Sequence, residues 1–281
     1  WVAFNQQRVV DQAAVWQYAP DAAIASYAQR TDLTDEGAFL FFASRPQVST
    51  GQLFNDICSA HQEDVGILGC YVPTTRQIHL YDVTDPRLDG LEEVVAAHEL
   101  LHAAWDRMSA AERNALAPLL EAEAAEHADD ADFAATLEFY QRTEPGERLN
   151  ELHSIIGTEF TGLDDALEAH YARYFADRSA VTALHEQSNR VFIEQAAAVR
   201  GLTAQIDALA ASIDSDYSAY NSAYDQLNSD IDAFNARASA GDFSSQDQFD
   251  RARGELLERQ DELDAQYAAI EANVNQYNSL V

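Results

Sequence analysis

Lysine is absent: all 17 basic residues of the 281 are arginine, set against 48 aspartates and glutamates, for a net charge of −31. A surface so negative repels polyanions, which argues against nucleic acid or an anionic membrane as partner. It attracts cations, although a plain solubilising surface has the same composition. No run of eighteen apolar residues occurs, so no segment of this sequence is a candidate membrane-spanning helix. Cysteine is nearly absent as well. Cys58 and Cys70 stand alone, without the CxxC spacing of a metal knuckle, and a local disulfide and an extracytoplasmic home are expected of such a pair. Trp1 at the start is read as the sign of a processed product or an excised fragment, which leaves open whether an upstream signal or anchor was removed.

The sequence does have enough apolar material, 47% with 10% aromatic, to build a core. Before residue 65 the pattern is of short helices: Val9 to Tyr18 at helical spacing, Gly37 to Ser44, and Thr50 to Ala60. The apolar run Ile67–Val72, the turn Pro73-Thr74-Thr75 and the segment Gln77–Val83 form the one clear strand signal, a β-hairpin with His79 expected on an edge strand. Asp89 and Glu92 have the form of a capping box opening a helix, and Ser109 and Glu112 repeat it for the next. Acidic, alanine-rich helix continues to about Arg142, then Arg148 to Phe160, then Asp164 to Phe175.

From about Leu184 a different period takes over. Ile206, Ile213, Tyr220, Leu227 and Phe234 recur every seven residues, and after a Gly/Ser-rich stretch Phe249, Leu256, Leu263, Ile270 and Tyr277 do the same. Two heptad helices joined by a short loop predict an antiparallel coiled-coil hairpin, with pairing between chains as the rival. The expected architecture is therefore mainly α (α+β): residues 1–183 as a helical domain with a small β-hairpin, and residues 184–281 as the coiled coil.

The chemistry concentrates in His98-Glu99-Leu100-Leu101-His102. Histidines four apart project from one helical face and can bind one Zn²⁺ without distorting the backbone. Val94, Leu101 and Trp105 share that stripe, so the rings are expected to face the interior. Glu99 is placed to act as general base on a water activated by the metal, passing the proton to a leaving amine. Two core histidines beside a surface glutamate are the bland alternative.

A catalytic zinc needs a third protein ligand. The metzincin continuation fails, because Trp105 stands at its glycine position and Met108 at its last histidine. Asn150-Glu151-Leu-His-Ser154 resembles the second motif of the thermolysin group of gluzincin peptidases, and a more distant likeness is to short gluzincins. The likeness covers roughly residues 65–175. It implies a zinc metallopeptidase with Glu151 as third ligand, Glu159 and His153 being its rivals. Where that group has an acidic residue after the serine, this sequence has Ile155, so the role of orienting a ligand histidine is assigned to Glu159. The gap from His102 to Glu151 is longer than in thermolysin, making Ser109–Arg142 an inserted helical pair over or beside the cleft.

For the developing oxyanion a donor is needed. Tyr174 is preferred, then His170, against a reading of both as aromatic core. His79, His61, His127 and His185 are read as structural or surface residues. The leading expectation is an extracytoplasmic peptidase acting on peptide or protein substrate, with the hairpin as a docking arm for a protein partner or a second copy. The alternatives are a coiled-coil interaction protein with a structural or degenerate zinc site, and a non-peptidase zinc hydrolase.

Overall fold

The computed structural model describes residues 6–58, 68–143 and 145–281. His61, the expected strand start before Leu68, and Glu144 lie outside them. With 77% helix and 5% strand the fold is mainly α, as expected. It divides into two compact units, Trp1–Ile193 and Glu194–Val281.

In the first unit, helices α1 (Gln6–Gln17), α2 (Ala22–Arg30), α3 (Asp35–Ala43) and α4 (Gly51–Cys58) accompany a three-stranded sheet of β1 (Gln47–Ser49), β2 (Gly69–Val72) and β3 (Gln77–Tyr81). The strand order is β1-β3-β2, with β1 parallel and β2 antiparallel to β3. Two expectations change here. The hairpin has gained a third strand, β1, which at three residues is too short to display alternation. His79 consequently sits on the central strand, paired with both Gln47 and Cys70 and buried, and the edge strands are β1 and β2. The expected disulfide joins Cys58 at the end of α4 to Cys70 in β2, over the buried ring of Phe54.

Helix α5 (Leu91–Arg107) runs through the middle, packed on the sheet and on α8 (Arg148–Glu159). Leu100, Leu101 and Ala103 are fully enclosed, and shortening either leucine to alanine removes about 2–5 kcal/mol of stability. The expected capping box does not form. Gly90 is the N-cap in the left-handed region (φ 96°), where a glycine carries no steric penalty. Asp89 instead takes both ends of the Arg30 guanidinium at 2.9 Å, and Glu92 accepts the Val83 N–H. The second box does form, Ser109 and Glu112 bonding reciprocally at the start of α6 (Ala110–Glu126). Helix α7 (Ala131–Thr143) leads back to α8, followed by α9 (Asp165–Tyr171).

One glycine sets the spacing of α5 and α8. A methyl group on Gly157 would lie 2.5 Å from Leu101 Cδ1 and 2.6 Å from the Tyr171 ring, so any larger residue must displace these buried side chains from the seam beside the site.

Helix α10 (Ser179–Ala240) is continuous across the expected boundary at residue 183; the units divide inside it, after Ile193. In the second unit α10 meets α11 (Gln246–Leu280) as an antiparallel hairpin. Phe234 stacks near Phe249 by the turn, Tyr220 meets Tyr267 farther along, and Arg259 pairs with Asp230 at 2.7 Å. All ten heptad residues are buried or half-buried, whereas Leu202, Tyr224 and Tyr267 beside them are largely exposed. Among the described residues no helix is long and apolar enough to cross a membrane.

Candidate metal centre

The helical spacing of four places the His98 and His102 rings edge to face, 4.7 Å between centroids. From α8, the Glu151 carboxylate enters between them: Oε2 is 3.9 Å from His98 Nε2, and Oε1 is 3.6 Å from His102 Nε2. Among the described residues these three form the one group whose donor atoms, all within 4.8 Å of one another, could hold a metal ion. Tetrahedral ligands about 2.1 Å from a zinc ion stand about 3.4 Å apart, so small side-chain rotations would close this set on an ion. The donor chemistry, two imidazoles and one carboxylate, fits a zinc site that keeps one position open.

Protonation supports the same reading. Burial, and then the nearby His102, push the His98 imidazole well below its ordinary pKa, leaving its lone pair available. His102 Nδ1 lies 2.9 Å from Asn150 Oδ1 and 3.2 Å from Ser154 Oγ. Asn150 donates its own amide to Glu147 Oε2 at 3.2 Å, which fixes the amide so that its oxygen faces the imidazole. An amide oxygen only accepts, so His102 carries a proton on Nδ1, which makes Nε2, facing Glu151, the nitrogen that would ligate an ion. Asn150 and Ser154, one helical turn apart, thus perform the orienting role that sequence reasoning gave to Glu159. Ile155 at the thermolysin-like acidic position is simply core, 1% exposed.

Glu99, 5% exposed, lines the same cleft, a cavity of about 370 Å³. A methyl on Gly69 would fall 2.4 Å from Val95 Cγ1 and 2.9 Å from Glu99 Oε1, so only glycine lets strand β2 pass this close to the carboxylate. Gly69, Cys70 and Tyr71 of β2 form one wall. Arg113 of α6 and Tyr140 of α7 also line the cavity. Sequence reasoning passed over both: neither belongs to a short motif, and only the packing of the inserted helices brings them to the cleft.

The remaining candidates lie elsewhere. His153, two residues from Glu151, leaves α8 on the opposite face, and its Nε2 is 2.9 Å from His170 Nε2. Trp105, Tyr171 and Tyr174 pack around that pair. Neither Tyr174 nor His170 lines the metal cleft; both belong to this aromatic cluster, Tyr174 only 1% exposed. Burial lowers the pKa of His170 to about 4 and raises that of Tyr174 to about 12. Glu159 and His185, 4.0 Å apart, line a neighbouring cavity, while His127 packs its ring on Phe160 and meets Glu123. No protein-family model, curated protein or solved structure matches this chain.

Proposed function

We propose that the first unit is a zinc-dependent peptidase of the gluzincin type, with His98, His102 and Glu151 as ligands and Glu99 as general base. The observation that carries this reading is convergence. Two imidazoles and a carboxylate from two separate helices meet in an open cleft that also contains a glutamate not needed to hold the ion. A purely structural site has no use for that glutamate. When bound, zinc would supply Lewis acidity to a water and to the scissile carbonyl. Glu99 accepts a proton from the attacking water as the new C–O bond forms, then delivers it to the departing amine as the C–N bond breaks.

Two features favour a peptide as substrate. Strand β2 has only β3 as a sheet partner among the described residues, and its other edge lies along the cleft, where an extended chain could add as a further strand. Tyr140 and Arg113 bring hydrogen-bond donors to the cavity for the developing oxyanion, the role first given to Tyr174. The disulfide supports an extracytoplasmic location. The hairpin of the second unit serves as an arm for docking a protein partner or a second copy.

Zinc content decides the ligand set. Wild type should bind about one equivalent, and Glu151→Ala should bind far less, while Glu159→Ala and His153→Ala keep it. Equal zinc in wild type and Glu151→Ala removes the proposed centre.

A further inference from the structure

A second cavity, of about 500 Å³, adjoins the metal cleft within the first unit, and His98, Glu99 and Gly69 line both. Its walls are apolar: Leu91, Val94 and Val95 from α5, Phe139 from α7 and Phe192 from α10. Amid these walls lies a carboxylate, Glu159, at the last residue of α8. Eight residues separate it from Glu151, about 12 Å along the helix axis. A group reaching from the cleft to Glu159 must therefore be long.

We propose that this cavity is the substrate side-chain pocket of the cleft and takes an arginine or lysine, with Glu159 reading the charge. The inference rests on the peptidase reading above and supplies its substrate class. A basic side chain matches the lining part by part: an aliphatic stem lies against the leucine, valines and phenylalanines, and a cationic head meets the carboxylate. The only ion-pair partner of Glu159 among the described residues is His185, at 4.0 Å. Burial lowers the pKa of that imidazole, so it supplies little positive charge near neutrality. Burial, with Asp130 nearby, raises the Glu159 carboxyl to about 7. An arriving guanidinium would hold it ionised, an interaction that no apolar side chain offers. The net charge of −31 draws cationic peptides toward the same surface. Glu159 thus has a role distinct from the ligand and orienting positions its sequence neighbourhood suggested.

The test uses the full chain loaded with zinc and carrying Glu99→Gln, which separates binding from turnover. Fluorescein-labelled peptides are matched except at one scanned position, which holds arginine, citrulline or norleucine. Citrulline keeps the shape of arginine without its charge. By fluorescence anisotropy, arginine at one position should bind at least about tenfold tighter than citrulline, the difference a single charged contact commands. Adding Glu159→Gln should bring that ratio to about one. Equal binding of arginine and citrulline in the Glu99→Gln chain overturns the proposal, as does a ratio that survives Glu159→Gln or a failure of every peptide to bind. Hydrolysis by wild type separates the two readings. Cleavage without basic preference keeps the peptidase and removes the pocket. Arginine preference in binding that depends on Glu159, with no cleavage of any peptide, keeps the pocket and removes the peptidase.

Discussion

Two pairs of histidines meet at α8, one of them including its own His153, and among the described residues only the other stands in a group that could hold a metal ion. His98 and His102 approach its Glu151 face, where an open cleft, a carboxylate and an orienting amide wait for them. His153 and His170 meet on the opposite side at 2.9 Å, closer than either ligand imidazole lies to Glu151, yet they are packed among Trp105, Tyr171 and Tyr174. His98 on the first side, and His153 and His170 on the second, lose basicity through burial. The first nevertheless has a carboxylate that could balance a cation, and it lines an open cavity. The second does not line the cleft, and its histidines share one hydrogen bond, one Nε2 donating and the other accepting. Proximity of imidazoles is thus a poor guide to a metal centre; a neighbouring anion and access are the better ones.

The largest expected effect breaks the comparison along its catalytic line. Glu99→Gln should lower peptide hydrolysis by about 10²–10⁴-fold, the range a general base contributes, with zinc content unchanged. His170→Gln, on the sealed side, should leave turnover within about twofold. A steady-state assay of both variants beside wild type reads this directly. A loss in His170→Gln comparable to that in Glu99→Gln would mean that the sealed pair takes part in the chemistry after all.

Next in size is the orienting contact. Removing a hydrogen-bond partner of a ligand histidine costs about 10–100-fold in metal affinity. Asn150→Ala should show that loss in a competitive zinc titration against a chromophoric chelator, because the His102 tautomer is no longer fixed. Asn150→Asp should hold zinc at least as well as wild type, since a carboxylate is a stronger acceptor for the Nδ1 proton. Unchanged affinity in Asn150→Ala would place the control of His102 in Ser154 alone.

The metal side of this comparison was far more legible in the sequence than the sealed side. Spacing of four on a helix suffices to put His98 and His102 together, and Asn150, Glu151 and Ser154 fall within a turn of one another, so local geometry carries the information. The heptads were legible for the same reason, each residue's burial following from its own helix and one partner. What was not legible depends on contacts distant in sequence. Strand β1 exists because β3 is beside it, and its arrival turned the expected edge strand into the central one. Gly90 displaced Asp89 as the cap because Arg30, far back in the chain, claims the aspartate. Arg113 and Tyr140 reach the cleft only through the packing of α6 and α7. Tyr174 and His170 do come together, but α9 ends at Tyr171, short of the expected Phe175, so Tyr174 meets His170 from the turn after the helix, within the aromatic cluster.

The smallest expected effect sharpens the sealed side by titration. His170 has its pKa lowered from 6.5 to about 4, by burial first and then by Arg173, with Glu112 opposing. A folded-state pKa below the unfolded value means that the unfolded chain binds the proton first as pH falls. Stability from the neutral imidazole is therefore complete above about pH 6.5 and is lost progressively down to about pH 4, below which both states are protonated. Because the side chain is partly exposed, solvent screening reduces the full linkage, leaving about 1 kcal/mol lost between roughly pH 7 and pH 5. His170→Gln keeps a polar partner for His153 without a group that titrates. Its stability in urea, measured under chelator so that zinc makes no contribution, should fall less over that interval than wild type's by about this amount. His153 is pushed down in the same direction and remains in the variant, so a residual slope is expected. A His170→Gln profile parallel to that of wild type would mean that the imidazole gains solvent or a counter-charge on protonation, and that the aromatic wall on this side of α8 opens in acid.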